Sequence, residues 1–411
     1  MNYAAPRKRA IFAPEASGLT PADVRRAYNV PPGLDGAGQT IALLEFGSGY
    51  SREDIDAFAR DEAGLTDYDL RFVSLGAVSD GGREPVDMEA TLDVQWALAL
   101  APKARIVVYG APPGDSCPEF GQSLVRALRY VVNDREFQPS IISISYGDAE
   151  QNFKDVHRAV ENVLEEAAAR NISVFAASGD HGAYGEQWLD DEKIRRVDFP
   201  ASCPHAIAVG GTSLTVAPYR ESAWTARGPA DDGATGGGIS SLFDAPDYQS
   251  GHLDRWDTTK RGVPDVAAVA DPATGCVAVF GGERRTVGGT SLSAPIWAGI
   301  TALVNQARGN PAGFFLPRLY ADPASLRDIT TGNNSFNSVP GYAAGPGWDP
   351  CTGLGTPDVA RLVEQLSDRP AAHKTPDTLR SPVSGHPPNP AVFLFLIPIL
   401  LAAAVAAGRT R

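Results

Sequence analysis

A serine stands between two glycines and an apolar helix in GGTSLSAPIWAGI, residues 288–300. Gly288 and Gly289 let the chain approach other groups closely, and Ser291 follows them at the predicted start of a helix. Pro295 is expected in the first helical turn, where proline is tolerated. A hydroxyl in such a place becomes a nucleophile only when a neighbouring base takes its proton. The segment therefore predicts nucleophilic chemistry at Ser291 and raises the question of the base.

Histidine is the most frequent base in such sites, and the chain has six histidines. His373 and His386 lie in a proline-rich stretch, and His157 falls on the polar face of a predicted helix. His181 stands near the end of a predicted strand, so it is the histidine that could serve as the base. A single histidine in that place is more often structural than catalytic.

Two acids offer another candidate for the base. The segment DMEATLDVQWALALAP, residues 87–102, predicts an amphipathic helix. Its predicted apolar stripe consists of Met88, Leu92, Trp96 and Ala99. Glu89 and Asp93 are four residues apart and project from one face, where two carboxylates destabilise each other. The simpler interpretation of this pair is a solvated acidic face. A third acid, Asp180, follows a strand in ASGDHGAYG, residues 177–185, where it could equally cap a turn.

Short apolar runs bounded by glycine alternate with amphipathic stretches along the chain. The runs predict buried strands at 40–46, 105–111, 141–147, 172–179 and 206–211. Helices are predicted at 51–62, with Ser51 as N-cap, and at 156–171, ending at Asn171. This alternation predicts an α/β fold with a parallel sheet flanked by helices on both faces. Such folds place chemistry at the carboxyl ends of their strands, which here are Glu45, Tyr146 and Asp180.

Composition restricts the partners of the 411-residue chain. Its formal net charge of −13 argues against nucleic acid as a partner. Hydrophobic residues make up 43% and charged residues 21%, as in an ordinary globular protein. The four cysteines are far apart and lack metal-ligand spacing; they are Cys117, Cys203, Cys276 and Cys351. Two disulfides in an extracytoplasmic protein and four buried thiols are both compatible with this spacing.

The C-terminal end of the chain predicts a membrane anchor. Residues 369–390 are rich in proline and polar groups and predict an extended linker. Residues 391–408 form an uninterrupted apolar run long enough for a transmembrane helix, and a basic tail follows at 409–411. The basic tail predicts a cytoplasmic C-terminus and a membrane-anchored catalytic region outside the cytoplasm. The N-terminal tail, residues 1–17, has no apolar stretch long enough for a signal peptide.

Several motifs in order resemble the sedolisins, serine-carboxyl peptidases that have a subtilisin-like fold and use glutamate in place of histidine. The motifs are GLTPADVRRAYNVP, LLEFGSGY, EATLDVQ, SISYGD, SGDHGA, FPASCPHAIAVGGTS, GVPDVAAVADP, GGTSLSAP and AGPGWDPCTGLGTP. Together they run from residue 18 to about residue 366, which predicts a peptidase domain at 18–368. Many spaced motifs in the right order are far more specific than any one of them.

The resemblance implies a role for each of four residues. Ser291 is the expected nucleophile, Glu89 the general base, and Asp93 the partner that orients Glu89. Asp180 is expected to carry a proton and to donate a hydrogen bond to the oxyanion. An unperturbed glutamate has a pKa of about 4.3 and remains a usable base near pH 4. The chain is therefore expected to be an acid-active endopeptidase that acts on proteins or peptides through an acyl-enzyme.

The resemblance also implies one structural calcium ion. Its expected ligands are the side chains of Asp328 and Asp349 and the backbone carbonyls of Ile329, Gly345 and Gly347. Oxygen ligands of this kind suit calcium.

The resemblance also concerns the hydrogen bonds behind the triad and the N-terminal region. Some sedolisins extend the hydrogen bonds behind the triad with an acid and a tryptophan, where this chain has Glu45 and Tyr146. Sedolisins usually carry a long N-terminal propeptide, for which the region before residue 18 leaves no room. A mature form, a truncated form and a propeptide on a separate chain are all compatible with that start.

The alternative functions are a catalytically inactive, membrane-tethered binding protein and a subtilisin-like protease that uses His181 near neutral pH.

Overall fold

Parallel strands with apolar side chains on both faces form the central sheet of the protein. The computed structural model describes residues 11–13, 18–47, 49–76, 86–185, 193–228 and 233–367. The strands are β1 (Ile11–Ala13), β2 (Thr40–Phe46), β3 (Asp69–Ser74), β4 (Arg105–Ala111), β5 (Ile141–Ile144), β6 (Asp148–Ala149), β7 (Ser173–Ala177), β8 (Asp198–Phe199), β9 (Ile207–Val216), β10 (Tyr219–Ala223), β11 (Gly238–Asp244), β12 (Lys260–Val263), β13 (Val266–Val269), β14 (Cys276–Phe280), β15 (Glu283–Gly288), β16 (Leu326–Arg327) and β17 (Thr356–Pro357). The helices are α1 (Pro21–Ala27), α2 (Arg52–Asp61), α3 (Met88–Leu100), α4 (Cys117–Val132), α5 (His157–Ala169), α6 (Thr290–Arg308), α7 (Leu316–Ala321) and α8 (Val359–Ser367).

The central sheet has the strand order β10–β9–β7–β5–β2–β4–β3, and β13 pairs with β9. Its neighbouring strands run parallel, except that β10 is antiparallel to β9. Along β2, Ile41 and Leu43 enter one hydrophobic core while Ala42 and Leu44 enter the other. Side chains of α3 and α6 fill the first core, and side chains of α4 and α5 fill the second. The predicted parallel sheet with helices on both faces is confirmed.

Two predicted helix ends are confirmed by their capping geometry. The side chain of Ser51 accepts a hydrogen bond from the backbone N–H of Asp54 at the start of α2. Asn171 lies just beyond the end of α5 with φ of 59°, the left-handed conformation that commonly terminates helices.

The predicted amphipathic character of α3 is wrong. Every residue of α3 is buried, because α3 is covered by the sheet, α2, α6 and β14 together. Glu89 and Asp93 are 1% and 0% exposed, so the solvated acidic face is also excluded. Burying two carboxyls on a helix costs free energy unless other groups compensate.

A β-hairpin delivers Ser291 to the middle of the protein. Strands β14 and β15 pair antiparallel, and β1 adds to β15 on the other side. Strand β15 ends at Gly288 and α6 begins at Thr290, so Ser291 lies in the first turn of the helix. Pro295, expected in the first turn, lies instead inside the helix, in its second turn.

The four cysteines are buried free thiols, which resolves the choice between thiols and disulfides. Within the described part of the chain, no helix has the length and apolar character needed to cross a membrane. The predicted linker 369–390, membrane span 391–408 and basic tail 409–411 lie outside the described residues. Most of the predicted N-terminal tail 1–17 lies outside them as well.

Candidate active site

The carboxyl ends of three parallel strands meet beside α3 and the start of α6. Glu45 is the last residue but one of β2. Ser145 and Tyr146 follow β5, and Asp180 follows β7. Strands β2, β5 and β7 are consecutive in the sheet, so these residues share one edge. Open α/β sheets place their ligand sites at this edge.

The hydroxyl of Ser291 is held by the backbone of Ser145. Its Oγ donates to the carbonyl oxygen of Ser145 at 3.3 Å, and Ser291 is 1% exposed. Pro295 has no backbone N–H, so the carbonyl of Ser291 cannot accept the usual helical hydrogen bond from four residues on. The Oγ of Ser145 lies 3.4 Å from that carbonyl oxygen. Pro295 thus leaves the carbonyl of Ser291 free of a helical partner and within reach of the Ser145 hydroxyl after β5.

Ser145 also links the serine to the acids of α3. Its Oγ donates to Oδ2 of Asp93 at 2.8 Å. Asp93 and Glu89 lie one helical turn apart, and both are buried against the same edge of the sheet. The structure therefore brings Ser291, Ser145 and Asp93 into one hydrogen-bonded series.

A third carboxyl completes a buried acidic cluster. Tyr146 donates its phenol hydrogen to Oε2 of Glu45 at 3.0 Å, so tyrosine makes the contact that the resemblance assigns to tryptophan. Burial, and then the neighbouring carboxyls of Asp93 and Glu89, raise the pKa of Glu45 well above its ordinary value. Three carboxyls this close cannot all be ionised in a dry interior. The cluster therefore retains protons where isolated carboxyls have lost them.

The raised pKa of Glu45 predicts that this carboxyl contributes more to the stability of the fold in acid than near neutral pH. The folded state binds this proton more tightly than the unfolded state. The stability contributed by Glu45 is thus fully present below the ordinary pKa of about 4.3 and is lost as pH rises through the raised pKa. Glu45→Gln mimics the protonated carboxyl and should flatten the decline of melting temperature between pH 4 and pH 7. An equal decline in the parent and the variant would contradict this assignment.

Asp180 lies over the N-terminus of α6. Its Oδ1 accepts hydrogen bonds from the backbone N–H of Thr290 at 2.7 Å and from the Thr290 hydroxyl at 2.8 Å. A Cβ atom on Gly289 would lie 2.9 Å from Oδ2 of Asp180, and Gly289 has φ of 102°. Glycine at 289 is therefore required for the carboxyl to reach the residue beside Ser291. Because Oδ1 accepts both hydrogen bonds, a proton on Asp180 would reside on Oδ2.

The four histidines of the described residues make other contacts. The ring of His181 stacks on Phe336 with centroids 5.2 Å apart. A ring nitrogen of each of the other three histidines makes a hydrogen bond. His157 is bonded to the carbonyl of Lys154, His205 to the carboxylate of Glu161, and His252 to the carbonyl of Tyr320. The hydroxyl of Ser291 donates to the backbone carbonyl of Ser145, and the hydroxyl of Ser145 in turn donates to Asp93.

The residues expected to bind calcium converge on one turn. Asp328 Oδ2 accepts from the N–H of Gly347 at 2.8 Å, and Asp349 Oδ2 accepts from the N–H of Gly345 at 2.9 Å. Ile329, which follows Asp328, is buried. Desolvation by burial raises the pKa of Asp349 to about 6, so its anion is destabilised in a way that a cation would offset. Within the described residues, no group of three or more acidic, histidine or cysteine side chains could hold a metal ion.

Two residues of this site were not predicted from the sequence. Ser145 lies within the run predicted as a strand at 141–147, and Thr290 was treated only as part of the approach to Ser291. A polar residue at the end of an otherwise apolar strand was the available signal for Ser145. No signal for the contact between Thr290 and Asp180 exists in the sequence, because the two residues are brought together only by the fold.

Comparison with known proteins identifies the class to which this fold and site belong. The sequence profile of the subtilase family matches residues 87–347, and the chain belongs to that family. The chain is 41% identical to kumamolisin of Bacillus sp. (strain MN-32) over 374 residues, covering 84% of the chain and 63% of kumamolisin. It is 32% identical to tripeptidyl-peptidase 1 of Bos taurus over 378 residues, covering 85% of the chain and 64% of the relative. The chain thus spans less than two thirds of the length of these relatives.

A solved structure extends the comparison to the fold. Pseudomonas sedolisin, a serine-carboxyl proteinase complexed with two molecules of pseudo-iodotyrostatin, superimposes with a TM-score of 0.73 at 27% sequence identity. The match covers 85% of this chain and 98% of that chain. The predicted resemblance to the sedolisins and the subtilisin-like fold are confirmed.

Proposed function

We propose that the protein is a serine-carboxyl endopeptidase in which Ser291 attacks the peptide carbonyl. Glu89 takes the proton from Ser291 Oγ and Asp93 orients Glu89. The proton then passes to the leaving amine, an acyl-enzyme forms on Ser291, and a water molecule activated by Glu89 hydrolyses the ester. The observation that carries this proposal is the hydrogen-bonded series from Asp93 through Ser145 to Ser291.

Asp180 stabilises the oxyanion in this proposal. A protonated carboxyl can accept from Thr290 through Oδ1 and still present a proton on Oδ2. That proton would donate to the negative oxygen of the tetrahedral intermediate beside Ser291. An ionised Asp180 would instead repel the oxyanion, so the activity is expected to require acid.

Cleavage of a peptide library between pH 3 and pH 8 tests the proposal. We expect internal peptide bonds to be cut in mildly to strongly acidic solution, with the rate fading towards neutrality. Mass spectrometry of the products identifies the bonds cleaved, and the Ser291→Ala variant serves as the control for contaminating peptidases. Full activity at pH 8 would indicate a histidine base, and absence of cleavage at every pH would indicate a binding protein.

We further propose one structural calcium ion held by Asp328, Asp349 and the carbonyls of Ile329, Gly345 and Gly347. Support comes from two carboxyls, of Asp328 and Asp349, that accept hydrogen bonds from N–H groups of the same turn, and from the raised pKa of Asp349. Calcium would neutralise these carboxyls and join the segment after β16 to the turn at 345–349. It would have no part in the chemical step.

Removal of calcium is expected to lower the melting temperature at neutral pH by about 5 °C, the shift that follows when saturating ligand is withdrawn from the folded state. Calorimetry with and without EDTA measures the change, and metal analysis of the purified protein measures the stoichiometry. Added calcium should restore the melting temperature, whereas magnesium, which demands stricter geometry, should not. An unchanged melting temperature in EDTA together with no bound calcium would contradict the proposal.

A propeptide on a separate chain and a membrane anchor at 391–408 stay predictions. The first comes from the family resemblance, and the second from the apolar run alone.

A further inference from the structure

A buried glutamine lies on α3 beside the proposed catalytic acids. Gln95 follows Asp93 by two residues and is fully buried. Its Nε2 donates to the carbonyl of Val279 at 2.8 Å, and the N–H of Val279 donates to its Oε1 at 2.9 Å. Both ends of the amide are therefore paired with one backbone unit of β14. In a dry interior such a reciprocal pair holds the helix and the strand at one separation.

Strand β14 belongs to the hairpin that delivers the nucleophile. The turn of this hairpin is held by Asp54 of α2, whose two carboxylate oxygens accept from the N–H groups of Gly281 and Gly282, each at 2.8 Å. Trp96, next to Gln95, donates its indole N–H to the carbonyl of Val277 at 2.9 Å. Helices α2 and α3 and the β14–β15 hairpin thus form one hydrogen-bonded block.

The two groups of the proposed proton transfer lie on different elements next to this block. Glu89 is on α3, and Ser291 follows β15 in α6. Helices α3 and α6 also touch directly, since a Cβ on Gly299 would lie 2.5 Å from Cβ of Leu100. That contact is at the far end of α3, so Gln95 is the polar connection between α3 and the hairpin that lies nearest in sequence to Asp93.

We infer that Gln95 is a positioning residue that sets the separation between the Glu89–Asp93 pair and Ser291. This inference rests on the proposed function, because it concerns the geometry of proton transfer from Ser291 to Glu89. Misplacement of reacting groups by about 1 Å can cost about 100-fold in rate. Loss of the reciprocal pair should therefore lower kcat, whereas the substrate-binding surface, and with it KM, stays intact.

A second glutamine supplies a matched control. Gln249 is also fully buried, donates to the carbonyl of Gly262 at 2.9 Å and accepts from the N–H of Gly262 at 3.0 Å. It has the same amide-to-backbone pairing as Gln95, and its Nε2 donates in addition to the hydroxyl of Tyr320 at 2.8 Å. The segments that it joins carry none of the proposed catalytic residues, so Gln249→Met measures what loss of a buried, paired amide away from the site does to stability.

The experiment compares kcat, KM and melting temperature of the full chain and of Gln95→Met, Gln249→Met and Gln95→Glu at pH 4. We expect Gln95→Met to lose about 10- to 100-fold in kcat with KM within about twofold of the parent. Gln249→Met should lose a comparable amount of thermal stability and keep its kcat. Gln95→Glu should restore kcat at pH 4, because a protonated carboxyl donates to and accepts from Val279 as the amide does.

Outcomes against the inference are distinct from outcomes against the proposed function. A parent without peptidase activity overturns both. An active parent with equal kcat values in Gln95→Met and Gln249→Met overturns the positioning role alone, as does a loss carried by KM. If Gln95→Met does not fold, Gln95→Glu decides. Its kcat relative to the parent should fall as pH rises, because the carboxylate can no longer donate to Val279, and a constant ratio overturns the inference.

Discussion

Replacing Glu89 by glutamine is expected to lower kcat by about 10²- to 10⁴-fold, the contribution of a positioned general base. Glutamine keeps the shape of the side chain but cannot take the proton of Ser291. The variant should stay folded at acid pH, since an amide replaces a carboxyl in a cluster that already retains protons. Steady-state kinetics at pH 4 measure the effect on kcat, and calorimetry measures the melting temperature.

Glu45→Gln is the control for this substitution. It makes the same chemical change in the same buried cluster, but Glu45 is paired with Tyr146 rather than with the serine. We expect its kcat to stay within about tenfold of the parent, because Glu45 acts only through its neighbours. Equal losses in the two variants would mean that cluster protonation in general, rather than a base at 89, governs the rate.

Replacing Asp180 by alanine is expected to cost about 10²- to 10³-fold in kcat, as for removal of one oxyanion donor. The alanine variant loses both the donor and the contacts from Thr290. Hydrolysis of one peptide substrate at pH 4 measures the loss. The Ser291→Ala variant gives the background rate.

The asparagine variant separates the charge of Asp180 from its position. Asparagine presents a neutral N–H donor that does not ionise, so the kcat of Asp180→Asn relative to the parent should rise as the pH is raised from 4 to 7. A ratio that is independent of pH would show that ionisation of Asp180 does not cause the loss of activity towards neutrality.

Much of the fold could be predicted because its signals are local. Strands β2 and β4 are apolar runs with the predicted bounds. Ser51 starts α2 through its side chain, and Asn171 terminates α5 through its left-handed backbone. Glu89, Asp93 and Asp180 could be proposed as site residues because each lies in a motif of the sedolisins and the motifs follow in the same order along the chain. The strand and cap signals are properties of single segments and need no knowledge of their neighbours.

What could not be predicted depends on contacts between distant segments. The helix α3 has polar residues that suggest one wet side, but β14 and α6, nearly 200 residues later in the chain, cover it. The hydrogen bond from Ser145 to Asp93 joins residues 52 positions apart. Pro295 was misplaced by one turn because the helix begins at Thr290, at a glycine cap without a side-chain hydrogen bond.

A crystal structure with a peptide aldehyde bound covalently to Ser291 at pH 4 tests the central claim most directly. The quantity measured is the distance from Ser291 Oγ to the nearest base. We expect a carboxylate oxygen of Glu89 at about 2.6–3.2 Å from Ser291 Oγ, with Asp180 Oδ2 facing the hemiacetal oxygen. A ring nitrogen of His181 in that position, with Glu89 out of reach, would contradict it.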